Sequence, residues 1–379
     1  MKKIFIVFGT RPELIKLTPV IEELKKIKKL KITICSTGQH REMLKQITDL
    51  MGIKVNYDLD IMTIDQNLTS LSIDVLKRIQ SLLQKEKPDL LIVQGDTTTA
   101  FTASLSAYYN KIKVAHVEAG LRSNNIYSPF PEEINRKIIS TIAELHFAPT
   151  IQAKKNLLNE GVESSKIWIT GNTVVDSSIR MKEKLNKDNV SKKISKKIES
   201  DAKQKFLNDK FILITMHRRE KFGAEIKKIL FTLKKLAEEN PEYKFVYPVH
   251  LNPNVKNPAD KILKSIRNII LLSPVDYLSF IFLMRKCLFI ISDSGVIQEE
   301  CYIFRKPVIV LREVTERSEA IGAGYAFLAG HSQEKIRKLF YQIDKRISYG
   351  YNFFSKKNPF GDGKAAGRIA KIIEKKLLV

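Results

Sequence analysis

The feature that most constrains this chain is an alternation between two kinds of apolar segment. Residues 4–8, 32–35, 90–93, 114–117, 145–148 and 167–169 are short runs, rich in β-branched residues and apolar at nearly every position. A strand apolar on both faces belongs in a parallel sheet that helices cover on both sides. Between the first two runs, Leu14, Leu17, Ile21 and Leu24 recur at helical spacing behind Pro12, a residue suited to a first helical turn. Pro19 inside that pattern predicts a kink. The rhythm then breaks: from Arg180 to Lys205, ten basic residues stand against four acidic ones, with no Gly or Pro. That tract reads as exposed helix and linker. Strand-like runs resume at 211–215, 244–249, 269–272, 288–292 and 308–311. Two βα halves of similar size predict an α/β protein of two doubly wound, Rossmann-like domains facing each other across a cleft. A length of 379 residues is right for two such cores.

Composition removes several function classes. The formal net charge is +24, from 65 Lys+Arg against 41 Asp+Glu. Such a balance suggests nucleic acid, but the basic tract carries no aromatic side chain between Arg180 and Lys205, and most bases are lysines spread through amphipathic helices. No nucleic-acid partner is therefore expected. The first apolar run ends at Gly9, too early for a signal peptide, and no segment approaches the ~20 apolar residues of a membrane span. The expectation is a cytoplasmic protein without membrane insertion. Cys35, Cys287 and Cys301 form no CxxC pair and read as buried small hydrophobes. No HExxH or paired Cys/His spacing is present, so no metal is expected. Neither GxGxxG nor GxxxxGK[ST] occurs, which disfavours dinucleotide and P-loop nucleotide binding.

In parallel sheets, ligands bind beyond the carboxyl ends of the strands, and the polar motifs of this chain follow that rule. Asp96 and Glu118 each follow an apolar run, and Glu132 follows Pro131. Three carboxylates on one site suit proton abstraction and donation. The plainer alternatives are a helix cap for Asp96 and a first-turn carboxylate for Glu132. Gly9-Thr10-Arg11 and Ser294-Gly295 precede helical segments, where amides and an arginine favour anionic oxygens, and His217 and Arg317 add donors in the second half. His116 and His146 lie within apolar runs and read as core, while His40 stays open between a local and a functional role.

Read in order, these motifs closely resemble the bacterial non-hydrolysing UDP-N-acetylglucosamine 2-epimerases. The matches are Gly-Thr-Arg-Pro-Glu (9–13), Thr-Gly-Gln-His-Arg-Glu-Met-Leu (37–44), Gln-Gly-Asp-Thr-Thr-Thr-Ala (94–100), His-Val-Glu-Ala-Gly-Leu-Arg (116–122), Tyr-Ser-Pro-Phe-Pro-Glu-Glu (127–133) and Gly-Asn-Thr-Val-Val-Asp (171–176). His-Arg-Arg-Glu (217–220), Asp-Ser-Gly (293–295), Thr-Glu-Arg (315–317) and Asn-Pro-Phe-Gly-Asp-Gly-Lys-Ala (358–365) continue the series.

The resemblance implies a GT-B-like fold with its active site in the cleft. Its expected divisions are a domain at 1–178, a basic linker and helix region at 179–206, a UDP-binding domain at 207–360 and a C-terminal helix at 361–379 crossing back onto the first domain. It further implies reversible epimerisation at C2 of UDP-GlcNAc to UDP-ManNAc without cofactor, by elimination of UDP to a 2-acetamidoglucal and re-addition. Asp96, Glu118 and Glu132 correspond to the acid–base set, with His217 near the leaving phosphate. Arg11, Ser294, Gly295, Val296, Glu300 and Arg317 correspond to UDP-binding positions, Phe280 borders the uracil, and Lys16 and Arg136 support the site. Gln39, His40, Arg41 and Gln66 correspond to a loop that binds a second UDP-GlcNAc as activator. A homodimer and a role in supplying ManNAc for cell-surface polysaccharide are implied as well.

Three positions depart from the family pattern: Asp65 where some members carry arginine, Val296 where a second glycine is usual, and Ser318 where proline is usual. A Cβ at 296 predicts weaker UDP affinity. A hydrolysing relative that releases free ManNAc plus UDP, and an epimerase of another UDP-N-acetylhexosamine, remain open as alternatives.

Overall fold

A computed structural model describes residues 1–38, 41–61, 67–216 and 223–378, with backbone only for 41–43 and 224. The chain divides into two compact units, Met1–Ser177 with Phe360–Val379, and Ser178–Pro359.

In chain order the first unit contains β1 (Lys2–Phe8), α1 (Arg11–Lys25), β2 (Leu30–Ser36), α2 (Arg41–Met51), β3 (Tyr57–Asp58), α3 (Leu68–Glu86), β4 (Leu90–Gln94), α4 (Thr98–Tyr109), β5 (Lys113–Val117), α5 (Glu132–Ile142), β6 (Leu145–Ala148), α6 (Ile151–Asn159) and β7 (Ile167–Ile169). Its strands are all parallel, in the order β3-β2-β1-β4-β5-β6-β7. The apolar runs are buried on both sides, with Phe5, Ile6, Val7, Leu91, Ile92 and Val93 all at 0% exposure. That is the burial expected of strands sandwiched by helices. The strand order reverses between β1 and β4, so the loops that leave these strands diverge to opposite faces and open a crevice.

α1 runs on through Pro19 to Lys25. A proline at 19 cannot donate to the carbonyl of residue 15. Ser177 Oγ supplies the missing donor, reaching Ile15 O at 2.5 Å. The tertiary partner replaces the lost helical bond.

The unit boundary falls within α7 (Thr173–Leu185), which is followed by α8 (Asp188–Ala202). The tract expected as exposed helix and linker is thus helical, and α8 buries Ile194 and Ile198 as part of the second unit. Its lysines occupy the outer face. The rest of the second unit is β8 (Phe211–Thr215), α9 (Ala224–Glu239), β9 (Lys244–Pro248), α10 (Pro253–Leu263), β10 (Ile269–Leu272), α11 (Tyr277–Lys286), β11 (Ile290–Ser292), α12 (Gly295–Glu300), β12 (Val308–Val310), α13 (Ser318–Ala323), β13 (Ala326–Leu328) and α14 (Gln333–Ser348). Its parallel sheet runs β10-β9-β8-β11-β12-β13, with its reversal between β8 and β11. β3 and β13 are strands beyond those expected from the sequence.

α15 (Ala365–Leu378) returns to the first unit and packs against α1 through Ala366, Ile369, Ala370 and Ile373. Asp176 receives Ala366 N at 2.9 Å and Ala365 N at 3.3 Å, which caps the returning helix. Burial pushes the Asp176 carboxyl up to about 6. Among the described residues, no helix is long and apolar enough to cross a membrane.

Candidate active site

The first unit gathers its charges at the carboxyl ends of β1, β4 and β5. Gln94 and Val117 pair in register, so Asp96 and Glu118 emerge from the same edge of adjacent strands. Glu118 is 7% exposed and sits at φ +67. Among the described residues, the other non-glycine residues at positive φ are all exposed. A buried side-chain-bearing residue in that region carries strain that the surroundings must overcome, which is common at functional positions. Three donors meet at Glu118 Oε2: Lys16 Nζ from α1, Gln94 Nε2 at 3.0 Å and Asn172 Nδ2 at 3.2 Å. The Lys16–Glu118 ion pair is buried, with side chains 4% and 5% exposed. Desolvation offsets most of the attraction in such a pair, so stability alone does not explain it.

Asp96 is not the cap of α4. Thr97 takes that place, its Oγ1 accepting Ala100 N at 3.0 Å. Asp96 Oδ2 is left to receive Arg136 Nε at 2.8 Å, and Asn135 Nδ2 holds the Asp96 carbonyl at 2.9 Å. Glu132 opens α5, half-buried. Its neighbour Glu133, which sequence reasoning passed over, is wholly buried; it accepts from Arg136 Nη1 at 2.8 Å and from the amides of Ser123 and Asn124 at 3.0 Å each. Its place three residues before Arg136 on a helix was the available signal. Gln94 and Asn172 were also missed as site residues, and only the motifs that contain them pointed their way.

Arg11 begins α1, half-buried, two residues before Glu13, which folds back on the loop. Glu13 Oε2 accepts Gly9 N at 3.1 Å, Thr10 N at 2.7 Å and Thr10 Oγ1 at 2.7 Å, while Oε1 accepts Thr97 Oγ1 at 2.8 Å. One carboxylate therefore ties the loop after β1 to the loop after β4, across the reversal of the sheet. Burial pushes it up to about 7 against the pull of these donors. His116 and His146 are core residues, as expected: both are buried, and burial lowers them to about 3 and about 4. His116 Nε2 donates to Gly95 O at 2.7 Å. The three cysteines are free and buried.

In the second unit the loops after β11 and β12 meet. Ser294 precedes α12 with no side-chain cap bond, followed by buried Gly295 and half-buried Val296. Arg317 is 5% exposed; its Nε donates to Glu299 Oε1 at 2.9 Å and its Nη1 to Glu316, which also takes Arg312 Nη2 at 2.8 Å. The guanidinium lies against Gly295 so closely that a Cβ there would stand 2.7 Å from Nη1 and 2.9 Å from Cζ. A side chain at 295 would therefore push the guanidinium out of this position. Glu300 Oε1 accepts Tyr277 Oη at 2.6 Å and Ser178 Oγ at 3.4 Å. Phe280 is half-buried on α11. His217, Gln39, His40 and Gln66 lie outside the described residues, as do Asp65 and the side chain of Arg41.

Two doubly wound parallel sheets, each with polar and charged loops at the carboxyl ends of its strands, define an α/β protein of the GT-B-like class. The model of the family described as UDP-N-acetylglucosamine 2-epimerase matches residues 22–374. A UDP-N-acetylglucosamine 2-epimerase of Campylobacter jejuni is 46% identical over 384 residues, covering 99% of this chain and 98% of its own. The crystal structure of UDP-GlcNAc 2-epimerase from Neisseria meningitidis bound to UDP-GlcNAc superimposes with a TM-score of 0.94 at 44% identity, covering 98% of this chain and 100% of that one. The Methanocaldococcus jannaschii UDP-GlcNAc 2-epimerase in complex with UDP-GlcNAc and UDP gives 0.85 at 35% identity, covering 98% and 99%. The chain belongs to the UDP-N-acetylglucosamine 2-epimerase family.

Proposed function

We propose that the chain interconverts UDP-GlcNAc and UDP-ManNAc by the non-hydrolysing route. The C2 proton of the sugar is not acidic enough to be exchanged directly, so inversion proceeds by elimination. A base takes the C2 proton, UDP departs from C1 with the bonding pair, and a 2-acetamidoglucal remains. Protonation at C2 from the other face and return of UDP to C1 complete the reaction. Oxidation state is conserved, so the route calls for no redox cofactor.

The observation that carries this reading is Glu118, a buried carboxylate at positive φ beside Lys16 and one strand from the Asp96–Arg136 pair. Asp96, Glu118 and Glu132 are assigned the proton transfers, and Lys16 and Arg136 hold two of those carboxylates in place. The second unit's Ser294, Gly295, Val296 and Arg317, with Arg11, take the diphosphate; Glu300 takes the ribose and Phe280 the uracil. His217 is assigned to the leaving phosphate. Complexes of two relatives with UDP-GlcNAc support the substrate. Gln39, His40, Arg41 and Gln66 are assigned to a second UDP-GlcNAc acting as activator. A cytoplasmic homodimer supplying ManNAc for cell-surface polysaccharide completes the proposal.

Purified protein incubated with UDP-GlcNAc in deuterated water and followed by NMR tests the route. The expected product is UDP-ManNAc with deuterium at C2. Free ManNAc plus UDP as the main products would instead establish the hydrolysing reading.

A further inference from the structure

Asn172 stands in the Gly-Asn-Thr motif, with no role in the proposed chemistry. It is 2% exposed, and each of its polar groups is engaged. Nδ2 donates to Glu118 Oε2 at 3.2 Å, and Oδ1 accepts Val174 N at 3.1 Å at the start of α7. The backbone N–H donates to Phe360 O at 2.7 Å, and the backbone carbonyl accepts Val175 N at 3.1 Å. The Phe360 bond comes from the C-terminal return, whose approach depends on the preceding residue. Gly171 sits at φ +88, and a Cβ there would meet Phe360 O at 3.2 Å and Gly361 Cα at 3.4 Å. Phe360 is itself fully buried, and the return is fastened again by Asp176, four residues after Asn172.

We infer that Asn172 is a positioning residue: anchored by the C-terminal return, it fixes the rotamer of Glu118 for proton transfer. The inference rests on the proposed role of Glu118. Lys16 Nζ sits on a flexible stem, and Gln94 on one longer than that of Asn172. The two-torsion side chain of Asn172, held at both ends, is the stiffest of the three donors. A carboxylate on a strained backbone needs such a support, because a displacement of about 1 Å at a reacting group can cost on the order of a hundredfold in rate. Binding through the diphosphate does not depend on that rotamer, so kcat and KM should separate.

The test compares Asn172→Ser, Asn172→Ala and Glu118→Gln with the wild type in UDP-GlcNAc turnover, with melting temperatures alongside. Serine keeps a neutral oxygen for Val174 N but is too short to reach Glu118. The expected result is a serine variant that melts near the wild type, with kcat lowered about ten- to a hundredfold and KM changed less than about threefold. Wild-type kcat in Asn172→Ser, with Glu118→Gln inactive, overturns the inference and leaves the proposed function standing. Full activity in Glu118→Gln removes Glu118 from the mechanism, and the inference with it. If the serine variant fails to fold, the side-chain amide of Asn172 is followed by selective 15N labelling. It should shift in Glu118→Gln, and an unmoved resonance overturns the inference.

Discussion

Glu13→Gln probes whether one buried carboxyl governs the junction of the first sheet's two central loops. Glu13 is 1% exposed, and burial raises it from 4.5 to about 7 although four donors surround it. The unfolded chain releases this proton near 4.5, while the folded chain keeps it until about 7. Between those values the folded state binds the extra proton, so stability must fall as pH rises. Each pH unit across the interval costs about 1.4 kcal/mol, and the penalty by pH 8 is on the order of 3 kcal/mol. Glutamine cannot titrate and retains one oxygen for the amides of Gly9 and Thr10. The stability of wild type minus that of Glu13→Gln should therefore fall by about 3 kcal/mol between pH 5 and pH 8. Urea unfolding followed by circular dichroism at both pH values measures it, read on the transition of the first unit because two units need not unfold together. Asp176, also raised, is common to both proteins and cancels. Selective 13C labelling at glutamate Cδ gives the midpoint directly, with the variant identifying the resonance. The same stability difference at both pH values, or a midpoint near 4.5, would refute the reasoning.

Asp96→Asn and Glu118→Gln should each lower turnover by about a hundredfold or more, the range of a lost acid–base group, and a near-normal rate in either excludes that residue from proton transfer. Gly295→Ala should push the Arg317 guanidinium away from its carboxylates, because the new Cβ would lie 2.7 Å from Nη1. The expected cost is about 1–3 kcal/mol of stability together with weaker UDP binding, measured by thermal melting and by titration with UDP. An unchanged melting temperature would mean that the arginine yields freely.

The fold was legible because parallel strands covered on both faces have to be apolar throughout. β6, β7, β8 and β10 match the runs read from the sequence to the residue. β3 was not legible because Tyr57-Asp58 forms no apolar run, and β13, though apolar, is a three-residue strand that ends on an exposed Leu328. Topology also explains why the candidate acids could be picked out. Once strands are parallel, the residue after each run lies at the ligand-binding edge, whichever side chain it carries. Partnership follows a different rule. Thr97, not Asp96, caps α4, and Glu133 takes Arg136 in addition to Asp96, because rotamers and loop paths decide between neighbours. The cap is not encoded in a local pattern, whereas Glu133 stands at helical spacing from Arg136.

What marks the site most sharply is where local preference is violated. Glu118 accepts a backbone conformation that costs a side-chain-bearing residue of order 1–3 kcal/mol, and Lys16 is buried beside it. Glu13 is buried with an elevated carboxyl at the same sheet reversal. A chain selected for stability alone would place glycine at 118 and an apolar residue at 16, whereas Glu13 also satisfies the Gly9 and Thr10 amides. All three lie on the elements that leave the carboxyl ends of β1 and β5. Under the proposed function they share one cause: a carboxylate held at a fixed place and angle for proton transfer, with the fold carrying the strain of holding it.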